Sequence, residues 1–381
     1  MEFDFDTVTP RRNTGCIKFD RKPHLDPFWV ADMDFPSAPC IREALHKRVD
    51  HGIFGYAQPH PGFETALLDY LERRHQATVL PDQIVHLGGV VPALSLAARA
   101  FCKPGDSLMT CTPVYPPFLN VHKDAGAGLI TVDHIHDGTD WVFDWDAMER
   151  AVTPSTRLFL LCSPQNPLGR VFSPAEIERV ADFCGRHDLV LVSDEIHCDL
   201  VLDESVASFS SALRLPGKYH SRLITLLSPS KTWNIAGLGY AFALIPDDSL
   251  RRQFCAARGH TLAEISALAY YAAEAAYQHG EPWRLALLDY IRENRDTLAG
   301  FLRANCPQLS LRPPHATYLA WIDASAMNVP NPSLHFENHA GLFLSDGAFF
   351  GWPRHIRFNF AYPHSYMLMG LEKLASALKH S

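Results

Sequence analysis

"RLITLLSPSKTWNIAGLGYAFALI", residues 222–245, sets Lys231 between two apolar runs that read as strands. A buried ammonium is costly to desolvate unless it is paired or neutralised. Lys231 therefore reads as a reactive group at a strand end, not as a surface lysine. Two earlier stretches repeat the pattern. "RLFLLCSPQNP" (157–167) delivers Asn166, and "LVLVSDEIH" (189–197) delivers Asp194 and His197. Between them lies "SPAEIERVADFCGRH" (173–187). There Ser173 suits an N-cap, Pro174 the first helical position, and Glu176 completes a capping box. Strands alternating with helices predict an α/β fold with a largely parallel sheet covered on both faces.

Working outward, "QIVHLG", "SLMTCTP", "LITVDHI" and "GYAFALIP" add short apolar runs, so the sheet is expected to have seven strands. "APCIREALHKRVDHG" and "PGFETALLDYLERRH" show helical periodicity near the start. From about residue 283 the character changes. A long helical stretch, "PWRLALLDYIRENRDTLAGFLRAN", leads into "TYLAWID" and "HIRFNFAYP", and a last helix runs through "YMLMGLEKLASALKH". The expected division is a large domain over 47–282 and a smaller α+β domain over 283–381, with the segment 1–46 packing against the small domain.

The formal net charge of −8, with no basic block, argues against a nucleic-acid or anionic-membrane partner. The start, "MEFDFDTVTPRR", lacks the apolar core of a signal peptide, and the longest apolar stretch is broken by Pro, Lys, Asn and Gly. Nine cysteines occur singly, without a C-x-x-C pair, which suits reduced thiols in a cytoplasm rather than disulfides or zinc. The histidines of "VDHIHDGTD" (132–140) read as part of a solvated loop, and no metal centre is expected.

Open α/β sheets bind ligands at the carboxyl ends of their strands. A carboxylate, an amide and an amine gathered there are tolerable if one bound group satisfies all three. Pyridoxal phosphate fits. An amine attaches covalently to its aldehyde, a carboxylate keeps the pyridinium protonated, and an amide bonds the phenolic oxygen. Its phosphate needs a helix N-terminus and hydroxyls. Gly88 and Gly89, opening "LGGVVPALSLAARAF", together with Ser228 and Ser230, supply candidates.

In order, "SPQNPLGRVF", "VSDEIHCDLV" and "SPSKTWNIAGLG" resemble fold-type I pyridoxal-phosphate enzymes of the class I/II aminotransferase superfamily. The intervals, 28 residues from Asn166 to Asp194 and 37 on to Lys231, suit that pattern. "WVADMDFPSAPCIREAL", "GIFGY", "DEIH" and "ATYLAWID" narrow the resemblance to the cystathionine β-lyase branch, the MalY/PatB-type carbon–sulfur lyases. The resemblance implies Lys231 as the covalent anchor and general base, Asp194 as pyridinium partner, and Asn166 on the phenolic oxygen. It places His197 near the ring and Tyr115 stacked over it. It implies Arg357 on the substrate α-carboxylate. Tyr56 would reach the phosphate of a neighbouring subunit, so a homodimer with shared sites is implied. Two departures stand out. Val90 replaces a hydroxyl residue beside Gly89, so only its main-chain amide is offered, and Gly239 stands where aspartate aminotransferases have a phosphate-binding arginine.

The activity so implied is β-elimination from L-cystathionine or another L-cysteine S-conjugate, giving a thiol, pyruvate and ammonia, with Lys231 or Tyr56 protonating the departing thiolate. An aminotransferase is the alternative, since the same groups serve both reactions. A lyase with an added regulatory protein-binding role is a second.

Overall fold

The computed structural model describes residues 3–205, 207–259 and 264–380. Its main sheet contains β1 (Ile84–Leu87), β2 (Ser107–Thr112), β3 (Gly128–His136), β4 (Trp141–Phe143), β5 (Thr156–Cys162), β6 (Val190–Asp194), β7 (Leu223–Leu227) and β8 (Ala241–Leu244). The spatial order is β1-β8-β7-β6-β5-β2-β3-β4. Pairing is parallel from β7 through β6, β5 and β2 to β3. β8 runs antiparallel to both β7 and β1. The chain is thus α/β with a mostly parallel sheet, as expected. The sheet has eight strands rather than seven, because β4 folds back on the end of β3. Three residues are too few to leave a periodic signal.

The stretch 132–140 also differs from expectation. β3 continues to His136, and His134 is buried in it, with Nδ1 3.1 Å from the Thr112 carbonyl. Asp133, Ile135 and His136 of the strand are exposed, as is the turn beyond it. His134 and His136 lie two apart on one strand face; His134 is covered by Phe143 and Phe172, while His136 is exposed where the strand ends, which composition alone hides.

Helices α1 (Pro39–Asp50), α2 (Pro61–His75), α3 (Val90–Phe101), α4 (Pro174–Arg186), α5 (Asp248–Arg258) and α6 (Ala267–His279) accompany this sheet. α4 begins as its sequence predicts. Ser173 Oγ accepts from the Glu176 amide, and the Glu176 carboxylate accepts from the Ser173 amide. Apolar side chains from α3 and α5 pack with those of the central strands in one core. Side chains from α4 pack against the sheet in another.

Beyond α7 (Glu281–Asn305) lies a four-stranded sheet of β9 (Ser310–Leu311), β10 (Leu319–Asp323), β11 (Ser345–Asp346) and β12 (His355–Asn359), accompanied by α8 (Pro332–Ala340) and α9 (His364–Ala377). The N-terminal segment joins this part. Asp26–Pro27 pairs with Leu342–Phe343, and the buried Phe28 ring stacks on Phe358 with centroids 4.5 Å apart.

Candidate active site

The middle strands finish level. Cys162 of β5 pairs with Asp194 of β6, which pairs with Leu226 of β7. The loops that follow therefore leave the sheet at one edge and bring Asn166, Asp194, His197 and Lys231 together. Lys231 Nζ donates to the Ala31 carbonyl at 2.7 Å, and that carbonyl also accepts from the Tyr318 hydroxyl at 3.1 Å. Burial pushes the amine down to about 8. At that value a substantial neutral fraction exists near neutral pH, which a nucleophile or base requires.

Asp194 is buried, and its Oδ1 accepts from the Ile196 amide at 3.1 Å. Burial raises its carboxyl to about 7, against smaller opposing effects from that hydrogen bond and from Lys231. His197 is buried, its Nδ1 has no hydrogen-bond partner among the described residues, and burial lowers it to about 3, so it is neutral.

Arg357 comes from β12 and crosses to the large sheet. Nη1 donates to Asn166 Oδ1 at 3.0 Å, and Nη2 to the Trp29 carbonyl at 2.7 Å. Its face lies over the Phe350 ring at 4.8 Å. Among the described residues no carboxylate is within 4.0 Å of this buried guanidinium, and Nε has no hydrogen-bond partner. Burial lowers its pKa to about 10, so it still carries its charge. A buried cation held only by neutral acceptors is incomplete without an anion.

Lys231, Tyr115 and Arg357 line one cavity of about 890 Å³, together with Trp29, Ala31 and Phe350. Gly88, Gly89 and Val90 lie at the start of α3, where Gly89 is the N-cap and no side chain caps the helix. Ser228 is largely committed. Its hydroxyl donates to the Tyr240 carbonyl at 2.6 Å and accepts from the Ser230 amide at 3.1 Å. Gly239 has φ +66°, and a Cβ there would lie 3.3 Å from the Gly88 carbonyl. The backbone itself thus disfavours an arginine at this position. Tyr56 is not brought to the cluster; it is fully exposed on the loop before α2.

The sequence reading passed over the stretch 29–32 as a wall of the site. Asn359 Nδ2 donates to the Val30 and Asp32 carbonyls, each at 2.7 Å, and Asn234 Nδ2 to those of Met33 and Phe35 at 2.9 and 2.8 Å. The contribution is mostly main chain, and "WVADMD" carries no composition that signals it. Among the described residues, His75, Cys198 and Asp199 also converge in the interior. The Asp199 carboxylate is already engaged by the Tyr70 hydroxyl and Arg74 Nε, so the trio belongs to a hydrogen-bond network.

These groups fit pyridoxal phosphate: a depressed amine, a buried carboxylate beside it, an amide, and an uncapped helix N-terminus with two glycines. The cofactor-shaped site sits at the carboxyl edge of an α/β sheet, and the family "Aminotransferase class I and II" matches residues 28–374. The chain belongs to that family.

Within it, the chain is 36% identical over 340 residues to cystathionine β-lyase PatB of Bacillus subtilis (strain 168), covering 87% of each. Among solved structures it is similar to OvoB, with a TM-score of 0.95, 40% identity and 100% of both chains covered. It is also similar to cystalysin from Treponema denticola, whose crystal structure contains pyridoxal 5′-phosphate (TM-score 0.94, 31% identity, 100% of both chains).

Proposed function

We propose that this chain is a pyridoxal-phosphate-dependent carbon–sulfur β-lyase that cleaves L-cystathionine or related L-cysteine S-conjugates to a thiol, pyruvate and ammonia. The observation that carries this reading is the pairing, in one cavity, of the unneutralised Arg357 guanidinium with the depressed Lys231 amine. One fits an α-carboxylate, the other a Cα proton. The similarity to cystathionine β-lyase PatB supports elimination as the outcome.

When bound, pyridoxal phosphate supplies an electron sink for the charge that develops at the substrate Cα. Lys231 would hold it covalently, with Asp194 on its ring nitrogen, Asn166 on its phenolic oxygen, and Tyr115 and His197 about the ring. Ser230 and the amides at Gly89 and Val90 would take the phosphate, with Ser228 bracing that loop. Arg357, aimed by Asn166 and the Trp29 carbonyl, binds the α-carboxylate as a bidentate pair and so fixes the Cα–H bond. Lys231 Nζ, freed when the substrate amine takes its place, would accept the Cα proton as the Cβ–S bond breaks, and the departing thiolate would take a proton from Lys231 or from Tyr56 of a second copy. The aminoacrylate released adds water and yields pyruvate and ammonia.

A homodimer with shared sites is part of this reading. Tyr56 is fully exposed and does not line the cavity of its own chain, and Ile53 and Phe54 beside it are also exposed. The division at 46 and 282 is part of this reading, and the pairing of Asp26–Pro27 with Leu342–Phe343 supports only its packing of the N-terminal segment with the small domain. A cytoplasmic setting is supported by nine cysteines that are all free. Among the described residues no helix is long and apolar enough to cross a membrane. The test is pyruvate release from L-cystathionine by the holoenzyme with no 2-oxo acid present. Repeated turnover supports the lyase; amino transfer that begins only when a 2-oxo acid is added makes the protein an aminotransferase.

A further inference from the structure

The charges lining the cavity do not all cancel. Arg11 is paired with Asp32 and Asp34, both at 2.8 Å, and Lys22 with Glu337 at 2.6 Å. Two lining residues are left over besides the catalytic groups. Arg21 stands over the Trp29 ring, 5.1 Å from its centroid, and among the described residues no carboxylate is within 4.0 Å of it. Asp346 accepts from the Ala348 amide at 2.9 Å and from Asn331 Nδ2 at 2.7 Å, and among the described residues no cation is within 4.0 Å.

Trp29 ties both to the substrate-carboxylate site. Its carbonyl accepts from Arg357 Nη2 at 2.7 Å and from Ser345 Oγ at 2.9 Å, while its ring carries Arg21. Asp346 is the residue after Ser345. One cation and one anion, each without an opposite charge within 4.0 Å among the described residues, thus line the same cavity as Arg357, Arg21 on the Trp29 ring and Asp346 one residue from Ser345. The cavity volume lies near the upper end of the ~300–1,000 Å³ usual for small-molecule sites, leaving room beyond a cofactor and a cysteine moiety.

We propose that the outer part of this cavity reads a second amino-acid head group, carried on the thiol half of the substrate, with Arg21 binding its carboxylate and Asp346 its ammonium. This rests on the lyase reading above and narrows it to two-headed thioethers. The methylenes between the heads would lie in the cavity between Arg357 and the stack of Trp29 on Phe343. A simple S-alkyl cysteine engages only the inner half, Arg357 and Lys231, and remains a substrate without using Arg21 or Asp346.

The test compares pyruvate release from L-cystathionine and S-ethyl-L-cysteine by holoenzyme carrying Arg21→Gln or Asp346→Asn, the latter retaining the oxygen that accepts from the Ala348 amide. The expected result is a rise of about tenfold in KM for L-cystathionine in each variant, with kcat unchanged. S-ethyl-L-cysteine should show no change, and Arg21→Lys should recover part of the loss. Equal effects on both substrates, or on neither, would overturn the assignment. Wild-type turnover of S-ethyl-L-cysteine without turnover of L-cystathionine would overturn it while leaving the lyase intact. No pyruvate from either substrate would sink both readings.

Discussion

Arg357 keeps its charge in the interior with only carbonyl, amide and hydroxyl acceptors around it. Lysine cannot reproduce a planar fork that reaches Asn166 and a carboxylate together. Arg357→Lys is expected to lower kcat/KM by about 100-fold, ~3 kcal/mol of lost transition-state binding, with the fold intact by circular dichroism. Asp194 gives a pH prediction for the cofactor-free protein. Its carboxyl rises from 3.8 unfolded to about 7 folded. The native state therefore binds the extra proton, and the stability so gained is full below pH 4 and lost as pH rises through 7. Glu195, also raised to about 7 by burial, adds to the same trend. Asp194→Asn should flatten the fall in Tm between pH 4 and 7, measured without cofactor. An unchanged slope would count against the raised carboxyl.

Among the elements, the loop from β5 into α4 shows what backbone geometry demands. Gly169 has φ +67°, and a Cβ there would lie 2.2 Å from Pro314 Cβ and 3.0 Å from the Ala316 carbonyl. Gly169→Ala should destabilise by more than 2 kcal/mol, roughly, and should shift Asn166 enough to raise KM. Ser173→Ala, at the neighbouring cap, should cost only about 1 kcal/mol in urea unfolding and leave kinetics unchanged. The cap and the strand ends were legible in the sequence because each is a local pattern: a polar group after an apolar run, or Ser-x-x-Glu before a helix. β4 was missed because three residues show no period. The 29–32 wall was missed because its contribution is mostly carbonyl oxygens, which every residue has. Arg21 and Asp346 carry no sequence signal either, since being left unpaired depends on which charges the fold has already matched.

At the scale of the whole molecule, the site is assembled across parts distant in sequence. The segment that presents the Trp29 and Ala31 carbonyls is anchored by Phe28, which is buried between Phe358 and Tyr362 and packs so closely on α9 that a Cβ at Gly370 would lie 2.4 Å from its ring. Phe28→Ala should cost about 3–5 kcal/mol and weaken cofactor retention on dialysis, although Phe28 itself does not line the cavity. If sites are shared, mixing Lys231→Ala with Tyr56→Phe protein should raise activity above that of either alone, because one site of each mixed dimer regains both groups. Absence of any recovery after subunit exchange would argue that Tyr56 serves no neighbour.

The account turns on Lys231 as the covalent anchor of the cofactor at the end of β7. The most direct measurement is borohydride reduction of the holoenzyme followed by mass analysis of its peptides. The phosphopyridoxyl mass should appear on the peptide containing Lys231 and be lost in Lys231→Ala. The same mass on another lysine, or on none, would contradict it.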